Sequence, residues 1–157
     1  MPVMAIHRLS GKMRALRPAP ARDPALVAAY VATTYIVDTP SQRVALRIGQ
    51  RNRLFERLLR RRRVRSWAFV SACNPASRRL SRWRNAARAS LLVRVTKSCG
   101  LRILPGEGLA DDPEWGGEAS LLILGITPVR ALRLARQFGQ YAVVVGRPGA
   151  APRLEWC

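Results

Sequence analysis

The chain has 157 residues, with 28 Lys and Arg against 9 Asp and Glu, for a formal charge of +19. Its 48% hydrophobic and 24% charged residues match an ordinary folded domain with a single core, which excludes global disorder. The longest apolar run, Leu121 to Ile126, falls far short of the roughly 18–20 residues of a membrane helix, so membrane insertion is excluded.

Met1 to Arg22 is basic, free of acids and ends in a Pro-rich stretch, which predicts a flexible leader separate from a domain over 23–157. A transit segment, a nucleic-acid-binding arm and an upstream start-site artefact share this composition. Asp23-Pro24 predicts a helix start, with Asp as cap and Pro at the first turn, and a helix over Ala25 to Val31. Thr33 to Asp38 and Val44 to Ile48, joined by the turn Thr39-Pro40-Ser41, read as an antiparallel hairpin.

Arg51 to Arg63 places Leu54, Phe55, Leu58 and Leu59 on one helical stripe, with Arg53, Arg57, Arg60, Arg61, Arg62 and Arg63 elsewhere. Ser66 to Pro75 reads as a buried central strand, with Leu121 to Ile126 and Tyr141 to Val145 as its sheet neighbours. A second basic helix is predicted over Ser77 to Ala89, with Leu80, Trp83, Ala87 and Leu91 inward and Arg78, Arg79, Arg82, Arg84 and Arg88 outward. From Arg51 to Lys97 there are fifteen basic residues and one acid, Glu56.

Leu101 to Leu104 predicts a short strand, followed by a loop from Pro105 to Gly117. Glu107, Asp111, Asp112, Glu114 and Glu118 make the loop region acidic. They read as a solvated segment that partly neutralises the basic helices, not as a cation site, because their spacing fits no EF-hand. Gly106-Glu107-Gly108 is neither of the glycine-rich phosphate patterns and reads as a turn. A helix from Thr127-Pro128 to Phe138, the Tyr141 to Val145 strand and an edge strand at Arg153 to Trp156 complete the order α, β, β, α, β, α, β, β, α, β, β. This predicts an α+β fold, a single domain with a mixed or mostly antiparallel sheet of five to seven strands and three to four helices.

Several segments then converge on one resemblance. Ala29 to Tyr35, Trp67 to Ser77, Arg84-Asn85, Gly106-Glu107-Gly108, Trp115, Glu118 to Ile126 and Phe138 to Ala142 resemble the family called domain of unknown function 3293, over about residues 26–147. The resemblance implies a small, mostly bacterial family with no assigned activity. Two departures stand out: Cys73 occupies a position where the family carries tryptophan, and Arg78, Arg79 and Arg82 stand where it carries acids. The basic second helix is therefore a peculiarity of this chain.

Three functions follow as expectations. The arginines Arg53, Arg57, Arg60, Arg61, Arg62, Arg63, Arg78, Arg79 and Arg82 point to non-specific contact with RNA or DNA backbone, because guanidinium forks match phosphate oxygens. Asn74, Ser77, Asn85 and Glu118 outline a polar pocket at the end of the central strand, for a ligand or an enzyme acting on an anionic metabolite, although Asn74 and Ser77 serve equally as caps of the following helix. The basic surface also fits docking to an acidic protein. One histidine, His7, and three cysteines without a CxxC pair supply neither a metal set nor a nucleophile–base pair, so no cofactor or metal is expected. The cysteine usage predicts a reducing, cytoplasmic setting.

Overall fold

In a computed structural model, the structure describes residues 23–157, and the expected leader with His7 lies outside them. The described residues form helices α1 (Pro24–Ala32), α2 (Arg53–Arg61), α3 (Arg82–Ser98) and α4 (Pro128–Gln137). The strands are β1 (Thr34–Asp38), β2 (Arg43–Leu46), β3 (Trp67–Ser71), β4 (Arg102–Leu109), β5 (Gly117–Leu124), β6 (Ala142–Gly146) and β7 (Arg153–Trp156). A 3-10 turn at Pro75–Ser77 follows β3. The element order is the expected one, and the fold is α+β.

The strands make one sheet in the order β2-β1-β4-β5-β3-β6-β7, and every neighbouring pair is antiparallel. β3 lies between β5 and β6, the two apolar runs expected beside it. Alternation along the strands sends Trp67, Phe69, Leu122, Leu124 and Val144 to one face and Ala68, Val70, Leu121, Ile123 and Val145 to the other. The first face packs on α2 through Phe55 and Leu59, with Phe55 and Trp67 meeting edge to face at 5.0 Å. The second is covered by Leu92 of α3 and by Ala131 and Ala135 of α4. Both edge strands contribute to the α2 side, Val44 and Leu46 from β2 and Leu154 from β7, and Gly49 N–H donates to Pro152 O at 2.8 Å. The sheet is therefore curled around α2.

Three expectations are corrected. β4 runs through Pro105-Gly106-Glu107-Gly108, so the glycine pair is strand rather than turn. A Cβ on Gly106 would lie 2.3 Å from Ile36 O of the neighbouring strand and 3.0 Å from the Phe69 ring, so a side chain has no room there. The second basic helix starts at Arg82 and continues to Ser98. Its inward positions are Asn85, Arg88, Leu92 and Thr96, while Trp83, expected in the core, is 69% exposed. The ion pairs of the acidic segment among the described residues go to β2 and the residue after it and not to the basic helices: Arg43, which also meets Asp38 of β1, meets Glu107, and Arg47 meets Asp111.

Overpacking against backbone costs about 1–3 kcal/mol. Gly106→Ala is expected to lower the unfolding free energy by that amount, read as a lower urea midpoint with an unchanged slope. Gly108→Ala, whose Cβ meets only Thr33 Cγ2 at an ordinary 3.7 Å, is expected to leave the unfolding free energy within about 0.5 kcal/mol of wild type.

Candidate ligand cleft

The chain leaves β3 through an unusual backbone. Asn74 (φ 43°), Ala76 (φ 53°) and Ser77 (φ 54°) all adopt the left-handed conformation within four residues. Each costs of order 1–2 kcal/mol in a non-glycine residue, so neighbouring contacts must hold the segment. Asn74 supplies most of them. Its Oδ1 accepts from Leu80 N–H and Asn85 Nδ2, both at 2.9 Å, its own N–H donates to Asn85 Oδ1 at 3.0 Å, and its Nδ2 donates to Glu118 Oε1 at 2.7 Å. Ala76 N–H donates to Gly139 O at 2.8 Å, and Gln140 Nε2 to Cys73 O at 2.7 Å. Half-buried Arg88 turns inward instead of outward, donating to Ala72 O and Phe138 O and so joining α3 to the ends of β3 and α4.

These bonds settle the geometry of the four expected pocket residues. The cap of α3 is Ser81, so neither Asn74 nor Ser77 is its N-cap, although Asn74 fixes the approach to the helix through Leu80. Asn74, Ser77 and Glu118 line a cleft of about 330 Å³. Asn85 stands behind it and orients Asn74.

The floor of the cleft is the α2-side face of the sheet. Register brings Ser71 opposite Ser120, and places Glu118 beside Gly108, which in turn faces Tyr35. Gly106 and Gly108 therefore leave a trough in β4 that the Phe69 ring partly fills. Leu26, Ala29 and Tyr30 of α1 form the roof, although no residue of α1 is fully buried. Tyr35 Oη donates to Tyr30 O at 2.9 Å, and the Tyr30 ring stands edge-on to Trp156 at 5.7 Å. The segment 110–116 closes one side with Trp115.

Glu118 is the chemical centre of the lining. Its Oε1 accepts from Asn74 Nδ2 and from Trp115 Nε1 at 2.9 Å, while Oε2 accepts from no protein donor among the described residues. Asp112 is the other charged residue in the lining, and no arginine or lysine among the described residues joins them. Burial pushes the Tyr30 hydroxyl well above the usual tyrosine value, and the Glu118 charge adds to the shift. The Tyr35 hydroxyl is raised in the same way, by burial first. Burial also raises the Cys73 thiol.

The nine expected nucleic-acid arginines are divided. Arg53, Arg57, Arg60 and Arg61 lie on α2, Arg62 and Arg63 just beyond it, and Arg82 on α3, which covers the opposite face of the sheet. Arg78 and Arg79 stand in the linker that directly follows Ser77 of the cleft lining. Arg79 donates to Glu114 O and lies over the Trp115 ring at 5.0 Å from its centroid. All nine except half-buried Arg62 are exposed, and none takes part in an ion pair among the described residues. Sequence reasoning missed Tyr35, Trp115, Gln140 and the α1 roof. A usable signal was the spacing of Gly106 and Gly108, two residues apart and hence on one strand face.

Asn74→Ala strands Leu80 N–H and the Asn85 amide and is expected to cost about 2–4 kcal/mol by denaturant melts. Asn74→Asp sets a second carboxylate against Glu118, which raises its folded pKa above the unfolded value near 4. The variant's deficit relative to wild type is therefore expected at neutral pH and to shrink as pH falls through about 4. A deficit independent of pH would disprove this contact.

No curated protein and no solved structure matches the chain. Residues 70–143, from within β3 into β6, match the model of a family described as a protein of unknown function, DUF3293. This span is narrower than the one read from sequence, and it contains Asn74, Ser77, Asn85, Trp115, Glu118 and Gln140. By that match the chain resembles the DUF3293 family.

Proposed function

We propose that this protein binds a small molecule in the cleft between α1 and the sheet, and that the ligand presents a hydrogen-bond donor or positive charge to Glu118 on an otherwise apolar, planar body. The observation that carries the reading is the Glu118 carboxylate, fixed through one oxygen by Asn74 and Trp115 with the other left open. The volume of about 330 Å³ lies at the lower end of the range of about 300–1,000 Å³ for small-molecule sites. Aromatic walls from Tyr35, Phe69 and Trp115 suit a flat ligand. Strained backbone at Asn74, Ala76 and Ser77 is the kind of conformation that clusters at binding sites. The lining opposes an anionic group placed within it, since its charges are acidic, so an anionic metabolite of the kind expected from the sequence would have to hold its anion outside the lining. Three free cysteines fit a reducing compartment, where we place the protein. Among the described residues no helix is long and apolar enough to cross a membrane.

Benzamidine and benzoate, equal in shape and opposite in charge, test the reading by calorimetry. Benzamidine is expected to bind and benzoate not. Glu118→Gln should weaken benzamidine by about tenfold or more, because hydrogen bonds to charged groups contribute about 1.5–3 kcal/mol. Gly108→Val, which fills the trough from a strand position, should abolish binding while the protein stays folded. Equal binding of the two probes sinks the proposal.

Nine arginines without acid partners favour a second reading, contact with nucleic-acid backbone. Because α2 and α3 cover opposite faces, the two arginine groups act as separate patches rather than one surface. Filter binding across a salt series is expected to show a steep slope that falls by about 0.7–0.9 per phosphate contact removed, in Arg57→Ala/Arg60→Ala/Arg61→Ala and in Arg78→Ala/Arg82→Ala separately. Absence of binding at low salt would exclude it.

A further inference from the structure

The cleft and its mouth carry opposite charges. Half-buried Glu118 is the charged group held within the lining, whose other acid, Asp112, is exposed. Ser77 of the lining is followed directly by exposed Arg78 and Arg79, and Arg79 lies over the ring of Trp115, whose indole N–H holds Glu118. One tryptophan thus separates the carboxylate from the guanidinium. Arg82 opens α3 four residues further on, in a first turn that contains no acid. A phosphate inside the cleft would meet the Glu118 carboxylate, whereas one beside Ser77 would meet Arg78 and Arg79, both exposed and without an acid partner among the described residues. A ligand that satisfies both ends has a donor-bearing planar ring at one end and an anion at the other.

We infer that the cleft takes the amino-bearing base of a nucleoside phosphate, with its phosphate held at the mouth by Arg78 and Arg79; this rests on the ligand-cleft reading above and specifies its ligand. Glu118 Oε2 accepts from the exocyclic amine of adenine, cytosine or guanine. The base lies against the aromatic walls, as bases stack on aromatic side chains in single-strand binding sites. Uracil is disfavoured because its one ring N–H sits between two carbonyl oxygens, which would face the carboxylate. The same chemistry is offered by a free nucleotide and by a residue of a single strand. A duplex is excluded by the cleft, since a base that is paired and stacked in a helix cannot enter a space of about 330 Å³.

Calorimetric titration with adenosine, cytidine, guanosine and uridine 5′-monophosphates, the parent nucleosides, and ten-residue single-stranded homopolymers tests the inference, with benzamidine as the reference probe. At least one amino-bearing monophosphate is expected to bind tenfold or more tightly than uridine monophosphate, and Glu118→Gln should erase that gap. Arg78→Ala should lower the monophosphate's affinity towards the nucleoside's and leave the nucleoside's unchanged. A homopolymer binding more tightly than its monomer assigns a strand, the reverse assigns a free nucleotide, and either supports the inference. Equal affinity for uridine monophosphate, or no effect of Arg78→Ala on the phosphate-bearing ligand, overturns it. If benzamidine binds and every nucleotide fails, this inference falls and the ligand-cleft reading stands; if benzamidine fails as well, both fall.

Discussion

The Asn74 side chain joins three parts of the chain that are distant in sequence. It lies three residues past the end of β3, receives Leu80 and Asn85 from the approach to α3 and from its first turn, and grips Glu118 at the start of β5. Few side chains offer a donor and an acceptor on a stem short enough to do this from a left-handed backbone. An alanine there would lose the bonds and keep the strain. The cleft depends on the same amide twice, because it sets the turn that forms one rim and fixes the carboxylate on the floor.

The position of the cleft follows from how the sheet is covered. α3 and α4 cover one face, while α2 and α1 share the concave one. α2 carries the apolar stripe of Phe55 and Leu59 and seals its part of that face. α1 carries apolar residues all round without a fully buried one and spans a trough instead of filling it. Serines at 71 and 120 and glycines at 106 and 108 keep the trough open, where large residues at those positions would extend the core.

Much of this was legible in the sequence for identifiable reasons. The continuous apolar runs Trp67 to Val70, Leu121 to Leu124 and Ala142 to Val145 mark strands buried on both faces, and they are adjacent in the sheet. Caps such as Asp23 and Thr127 fix helix starts because their side-chain oxygens have few other local uses. Failures arose where a residue type was put to an uncommon use. Two glycines inside β4 imitate a turn; an exposed Trp83 and an inward Arg88 reverse the apparent faces of α3. Asn74, Ser77, Asn85 and Glu118 were identifiable as a polar set, but Tyr35 and α1 come to the cleft through the pairing of β1 with β4, which no local pattern encodes.

The roof has a kinetic consequence. α1 buries no residue completely, and what it covers is the cleft itself, with Tyr35 and Phe69 beneath Leu26, Ala29 and Tyr30. Its attachment rests on the Tyr35 hydroxyl, the Tyr30 and Trp156 ring contact and the reach of Arg47 to Ala32 O. Movement of this one short helix would open the cleft without breaking the β3–β5 ladder that forms its floor, so ligand entry and the stability of the sheet are carried by different contacts.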